Sequence, residues 1–279
     1  MIDLHVHSTA SDGSFSPEAL VAKALEEGLT ILALTDHDTI AGLAAARQAA
    51  LGSQLRLIGG IELDIEWKSG ECHLLGYGID EPSPRMIEML ERVNQGRRTR
   101  NETITMRFHE AGINLDLDRV EAIADGGTVG RPHFARALVE MGAVKNIQQA
   151  FDRYLARDRP FFVDRKSLSL EEGVSIISES GGIPVLAHPL SLYVSWGKLS
   201  GILADFKAQG VRGIEAWHPG VRVTDARRLE ALAREHSLLV TAGSDFHGAA
   251  RPERRLGHTT GKLVIEERFW SEELGPALS

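Results

Sequence analysis

Seven short apolar runs in this sequence share one layout: each carries histidine or a carboxylate at or beside its end. They cover residues 2–7, 30–38, 57–62, 72–76, 183–188, 213–218 and 238–247. A run that stays apolar along most of its length reads as a strand in a parallel sheet covered on both faces. Helical segments separate most of them. Ser16 and Pro17 open one helix as N-cap and first-turn proline, and Gly28 closes it. Ser169 and Glu172 form a capping box, with Gly181-Gly182 ending that helix. Residues 198–209 and 225–236 are amphipathic at helical spacing. Strand–helix alternation of this kind predicts an α/β fold, a (β/α) barrel or a distorted relative of one.

The alternation lapses between residues 81 and 159, where four helical patterns follow one another with no strand between them. Pro82 and Pro84 mark the entry and Pro160 the exit. The expected organisation is a barrel from residues 1–80 and 160–279, with a helical insertion at 81–159 covering the active site. Charge divides the same way. The chain carries 31 Lys+Arg against 39 Asp+Glu, a net charge of −8, whereas residues 82–157 hold 12 basic and 10 acidic side chains. An acidic body argues against coating long nucleic acid. It suits a cation-binding core beside a small anionic ligand. Cys72 is the single cysteine, so no internal disulfide forms. No apolar run reaches the ~18–20 residues of a membrane span, and residues 1–5 lack the features of a secretory leader. The expectation is a soluble cytoplasmic protein with no membrane association and no obligate protein partner.

Several residues carry chemistry. His5 and His7 stand two apart on a strand and so face one side. Asp12 follows in a turn. In Asp36-His37-Asp38, either Asp38 or Thr39 is expected to cap the next helix, which leaves His37 as a ligand candidate. Glu62 ends a strand, and His73 interrupts an apolar one, where an unpaired imidazole is costly. His188 precedes Pro189 at a strand end, and Asp245 and His247 repeat the i, i+2 spacing. A barrel gathers strand ends from distant sequence positions around one mouth. Nine N/O donors exceed what one catalytic zinc takes. They suit two or three divalent ions, with no thiolate to close the site. A multinuclear hydrolytic centre follows.

The stretch DLHVHSTASDGSFSPEALVAKALEEGLTILALTDHDTIAG, followed in order by GIELD, CHLLGY, VLAHP and GSDFH, resembles the polymerase-and-histidinol-phosphatase (PHP) family of metal-dependent phosphoesterases. The resemblance implies a distorted (β/α)7 barrel with a trinuclear site. It assigns His5, His7, Glu62 and Asp245 to one ion, Asp12, His37 and His247 to a second, and Glu62, His73 and His188 to a third. Manganese is the expected metal, with iron or zinc as alternatives.

The insertion looks like that of a subgroup containing nucleoside 3′,5′-bisphosphate phosphatases and exonucleases that trim short oligonucleotides from the 5′ end. Arg97, Arg100 and Asn101 share a helix face by spacing, suited to clamping a second phosphate. Arg131 and His133 open another helix, whose N-terminus is a physical anion site. Phe134 and Trp217 are candidates for stacking on a base. His218 ends a strand outside the nine ligands and is the candidate to touch the scissile phosphate or donate a proton to the leaving oxygen. His109, His236, His258 and the basic tail at 251–255 read as surface or local packing.

The expected reaction is hydrolysis of the 3′-phosphate of a small phosphorylated nucleotide, such as adenosine 3′,5′-bisphosphate, by a metal-bridged hydroxide. The nearest alternative is a 5′–3′ exonuclease on short 5′-phosphorylated oligonucleotides. Histidinol phosphate phosphatase leaves the arginines little to do. An amidohydrolase commonly uses a bridging modified lysine where this chain has Glu62. A metal-stabilised interaction module predicts one closed ion and no turnover.

Overall fold

The computed structural model describes residues 1–124, 127–164 and 167–278. They form two compact units, Met1–Glu88 with Ser167–Ser279, and Met89–Lys166.

Seven strands make the first unit's sheet, among the described residues, in the order β1 to β7 along the chain. They are β1 (Ile2–Val6), β2 (Ile31–Leu34), β3 (Arg56–Ile65), β4 (Cys72–Tyr77), β5 (Ile183–Leu186), β6 (Gly213–Trp217) and β7 (Leu239–Ala242). The barrel is nearly closed by a bridge from Val6 to Phe246, where His7 N–H donates to the Phe246 carbonyl at 2.9 Å. The expected parallel sheet needs one correction: β4 runs antiparallel to both β3 and β5, while the other pairs are parallel. This reversal matters for function. It places the first residues of β4, including His73, at the end of the barrel where its neighbours finish.

Helices α1 (Pro17–Glu26) and α2 (Leu43–Ala50) cover β1 and β2. Leu20, Val21, Ala24, Leu43 and Ala46 pack there with Val6, Leu32 and Leu34 in one buried cluster. Ser16 caps α1 by accepting from Ala19 N–H at 3.2 Å, and Gly28 takes the left-handed conformation that ends it. The cap expected for α2 is different from the sequence reading. Gly42 occupies that position without a side-chain bond, because Asp38 Oδ1 instead accepts from Asp64 N–H at 3.1 Å.

The second unit contains most of α3 (Pro84–Glu110), then α4 (Leu117–Ala124), α5 (Arg131–Glu140) and the short α6 (Ile147–Ala150). Its core is its own, built from Ile104, Phe108, Val120, Phe134, Leu138 and Phe161. The Phe108 and Phe161 rings stack at 4.1 Å between centroids. Back in the barrel unit, α7 (Leu170–Glu179) precedes β5, α8 (Trp196–Ala208) precedes β6, and α9 (Val223–Glu235) precedes β7. Among the described residues, no helix is long and apolar enough to cross a membrane.

Candidate metal centre

Glu62, buried in the middle of β3, is the hub around which the other donors gather. Its Oε1 lies 2.9 Å from His73 Nδ1 and 3.0 Å from His188 Nε2. Its Oε2 lies 3.3 Å from both His5 Nε2 and His7 Nε2, and 3.0 Å from His37 Nδ1. Asp245 Oδ1 stands 3.2 Å from His7 Nε2 and 3.4 Å from His247 Nδ1. Asp12 Oδ1 is 3.2 Å from His247 Nε2. The structure thus brings His5, His7, Asp12, His37, Glu62, His73, His188, Asp245 and His247 together in one contiguous group.

Local backbone strain helps to aim these side chains. His188 and Asp245, just beyond the ends of β5 and β7, have positive φ, at 27° and 48°. Such conformations cost on the order of 1–3 kcal/mol each and persist only where the surroundings fix them. Gly243 serves a different need. A Cβ there would lie 2.2 Å from His5 Cβ and 2.7 Å from Glu215 Oε1, so only glycine lets β7 approach β1 at this level.

The far nitrogens of several rings are occupied. His5 Nδ1 meets Glu215 Oε1 at 2.9 Å, and Glu215 Oε2 also accepts from His188 N–H at 3.0 Å. His188 Nδ1 meets Ser191 Oγ at 2.9 Å, and His247 Nδ1 donates to the Asp245 carbonyl at 2.8 Å. Partners of this kind fix the tautomer and turn Nε2 toward the centre, as they do around metal-bound imidazoles.

Electrostatics show how crowded the centre is. Burial raises the carboxyls of Asp12, Glu62 and Asp245, but the imidazoles around them outweigh it and hold all three well below the usual carboxylate range. Burial likewise works against protonating His7 and His73. The carboxylates of Asp245 and Glu62 at His7, and of Glu62 at His73, prevail and raise both rings to about 9. At His37 burial wins, and its ring is lowered to about 3.

The donor set fits divalent cations. Glu62 Oε2 has three imidazole nitrogens within 3.3 Å yet forms a proper hydrogen bond with none of them, and His247 Nε2 is similarly left without one. Buried polar atoms that converge without bonding one another are costly unless something else satisfies them. Among the described residues, three groups have ligand atoms all within 4.8 Å of one another: His7, Asp12, His37 and His247; His5, His7 and Asp245; His37, Glu62 and His73. Imidazole and carboxylate without thiolate are donors for manganese, iron or zinc in an open site.

His218 joins this group. Gly220 N–H donates to its Nδ1 at 3.0 Å, which leaves the proton on Nε2, 3.1 Å from Asp245 Oδ2. Burial lowers its pKa below the ordinary histidine value despite that carboxylate.

The residues expected to bind substrate lie in the helical unit, except Trp217 at the end of β6, and two corrections apply. Phe134 is fully buried in that unit's core, so it offers no ring face to a base. Trp217 is also buried, with its indole N–H donating to Glu230 at 2.6 Å. Arg100 and Asn101 are largely buried as well, and the Arg100 guanidinium donates twice to Asn101 Oδ1, at 3.2 and 2.7 Å. His133 turns back on its own helix, accepting from Gly130 N–H at 2.9 Å. The Arg131 guanidinium lies over the Phe162 ring, 5.1 Å from its centroid. Arg97 is carried by α3 with Arg100.

Three contributors escaped the sequence reading. Glu215 is one, although a lone carboxylate in the apolar run GIEAW is the same signal that marked His73. Asp36 is the second: it accepts from Ser8 N–H and Oγ at 2.7 Å and from Ser11 Oγ at 2.6 Å, fixing the loop that leads to Asp12. The third corrects the reading of the basic tail as plain surface. The Arg254 side chain reaches inward to pair with Asp245 Oδ2.

A nearly closed seven-stranded barrel with a cluster of His, Asp and Glu at one end is the architecture of a metal-dependent phosphoesterase. The PHP domain matches residues 3–156, and the chain belongs to the PHP family. It is 39% identical to the 5′-3′ exoribonuclease Rnm of Escherichia coli K12, over 88% of this chain and 84% of that one. It is 34% identical to the 3′,5′-nucleoside bisphosphate phosphatase of Chromobacterium violaceum, over 97% and 95%. Among solved structures, one titled an amidohydrolase from Chromobacterium violaceum, with bound sulfate and no metal, superposes with a TM-score of 0.87 at 33% identity, covering 99% of this chain and 96% of that one. One described as a metal-dependent phosphoesterase from Bifidobacterium adolescentis gives 0.85 at 29% identity, covering 98% and 95%.

Proposed function

We propose that this chain is a phosphomonoesterase that removes the 3′-phosphate of nucleoside 3′,5′-bisphosphates, such as adenosine 3′,5′-bisphosphate, leaving the 5′-nucleotide. The observation that carries the reading is the contiguous group of nine donors that includes the buried Glu62, combined with a relative of that activity aligned along nearly the whole chain. His5, His7, Asp12, His37, Glu62, His73, His188, Asp245 and His247 would hold divalent ions, three by the family's pattern and manganese by preference. Bound there, such ions supply a water acidified toward neutrality and neutralise phosphate charge.

The chain's own groups do the rest. Glu215 and Ser191 hold the rings of His5 and His188 in register. His218, kept in the Nε2–H tautomer by Gly220, has a proton to donate to the leaving oxygen. Arg97, Arg100 and Arg131, with Asn101 and His133, are proposed to bind a phosphate group of the substrate within the helical unit. The net charge of −8 favours a small nucleotide over a long polymer.

A second reading, a 5′–3′ exonuclease on short 5′-phosphorylated oligonucleotides, is favoured by the relative at 39% identity. Identifying the products formed by manganese-reconstituted protein, inorganic phosphate or mononucleotides, separates the two. Adenosine 3′,5′-bisphosphate is expected to be the better substrate, yielding 5′-AMP. Preference for a 5′-phosphorylated trinucleotide, with mononucleotides released, would establish the exonuclease instead. Alanine at Arg97, Arg100 or Arg131 is expected to reduce bisphosphate turnover while sparing a generic aryl phosphate. Equal losses on both would remove those arginines from substrate binding.

A further inference from the structure

The two oxygens of Asp245 face different surroundings. Oδ1 looks into the donor cluster, 3.2 Å from His7 Nε2 and 3.4 Å from His247 Nδ1. Oδ2 looks the other way, toward His218 Nε2 at 3.1 Å, the Arg254 guanidinium, and Arg251 Nη1 at 3.7 Å. A positively charged arc therefore lies directly behind one of the residues that would hold cations.

The segment bearing this arc is built rather than loose. Asp3, fully buried, accepts from Ser244 N–H at 3.0 Å with one oxygen and from Gly257 N–H at 2.8 Å with the other. Asp3 thus clamps both ends of the stretch that contains Asp245, His247, Arg251 and Arg254. Between the clamps, Ala249 N–H donates to Ser14 Oγ at 2.8 Å, and Arg254 N–H to the Arg251 carbonyl at 3.1 Å.

Arg254 is consequently held in place, with only 12% of its side chain exposed. Its close polar contacts all run through Nη1: to Asp245 Oδ2, to the Asp245 carbonyl at 3.2 Å and to His218 Nε2 at 3.1 Å. Nε has only Glu253 Oε1, at 3.8 Å. Among the described residues no acceptor faces Nη2. The fork is half used.

Asp12, Glu62 and Asp245 are the only carboxylates in the donor set, and even with a bridging hydroxide their charge does not balance the three divalent cations of the family's pattern. A loaded centre is cationic, and a fixed guanidinium beside it would be repelled. The arrangement is favourable only when an anion lies against both. We propose that Arg254, assisted by Arg251, is a substrate-phosphate-binding residue of this centre, its free edge taking a phosphoryl oxygen while Nη1 keeps its hold on Asp245. Arginine suits the task because its planar fork serves two acceptors at once. The inference rests on the phosphoester reading above, but not on which phosphoester is cleaved.

Calorimetric binding of inorganic phosphate to the manganese-loaded protein, with metal content measured on the same samples, tests it. R254A is expected to keep the wild-type metal content and to bind phosphate roughly 10- to 100-fold more weakly, the range for losing a charge-assisted hydrogen bond. In turnover the loss should fall on KM more than on kcat. R251A, whose side chain is more exposed, is expected to show a smaller loss in the same direction. Unchanged phosphate affinity in R254A overturns the proposal. Loss of bound metal also overturns it, in favour of a role confined to holding Asp245. R254Q, which keeps most of the bulk and one donor, covers the case in which R254A fails to fold: it too must bind phosphate weakly, and wild-type affinity would refute the assignment. If neither nucleotide substrate is turned over yet phosphate binding depends on Arg254, the substrate reading fails and this one stands.

Discussion

An imidazole serves as a ligand only when its second nitrogen is satisfied, and at His5 that partner is Glu215, 2.9 Å away and fully buried. Removing a supporting carboxylate of this kind costs metal affinity about 10- to 100-fold in other sites. E215Q is therefore expected to weaken manganese binding by that order while leaving the circular dichroism spectrum intact. Unaltered affinity would show that His5 needs no such support. Cys72 makes a contrasting case. It is buried, and burial pushes its thiol up to about 12. Iodoacetamide at neutral pH should leave the native protein unmodified and label it only on unfolding; rapid native labelling would place the thiol at the surface. The residues legible in the sequence were those whose chemistry clashed with their setting, such as His5, His7, His73 and Asp245 among apolar neighbours. Arg254 gave no such signal. A basic cluster between two prolines or glycines looks the same in sequence whether it faces water or folds inward, and only the clamp by Asp3 decides which.

At the scale of elements, periodicity located all seven strands but not the direction of β4. Apolar runs read alike forward and backward. Direction was carried by the connection instead: residues 66–71 leave only six residues between Ile65 and Cys72, whereas a parallel crossover needs a dozen or more. The short link forces the hairpin, and the hairpin brings His73 opposite Asp64, two positions from Glu62. Capping was legible where the bonds are local. Ser169 Oγ accepts from Glu172 N–H at 3.2 Å, and Glu172 Oε2 accepts from Ser169 N–H at 2.9 Å. S169A is expected to cost about 1 kcal/mol, read as a lower denaturation midpoint with an unchanged slope. No shift would mean that packing of α7 alone sets its start. Asp38 failed as a cap because a tertiary acceptor role, toward Asp64 N–H, outweighed the local one.

For the molecule as a whole, the cluster of buried carboxylates and imidazoles couples stability, protons and metal. Without metal, His7 and His73 titrate at about 9 against an ordinary 6.5, so protons themselves occupy the centre at neutral pH. The sign follows from linkage. A raised pKa in the folded state contributes stability that is fully present below 6.5 and is lost as pH climbs toward 9. His37, lowered to about 3, is already neutral throughout that window and adds nothing to it. Cations must displace the protons on His7 and His73, so metal affinity rises across the same interval in which the metal-free protein weakens. The two trends add. Manganese at a hundredfold excess over its Kd stabilises by about 2.7 kcal/mol per site at fixed pH, and the gap in Tm between loaded and chelator-treated protein should widen steadily from pH 6.5 toward 9. Thermal melts in matched buffers, with and without manganese, measure it directly. A gap that stays constant or narrows with rising pH would mean that His7 and His73 carry no protons in the metal-free protein, and that the carboxylates of Glu62 and Asp245 are neutralised by some other charge.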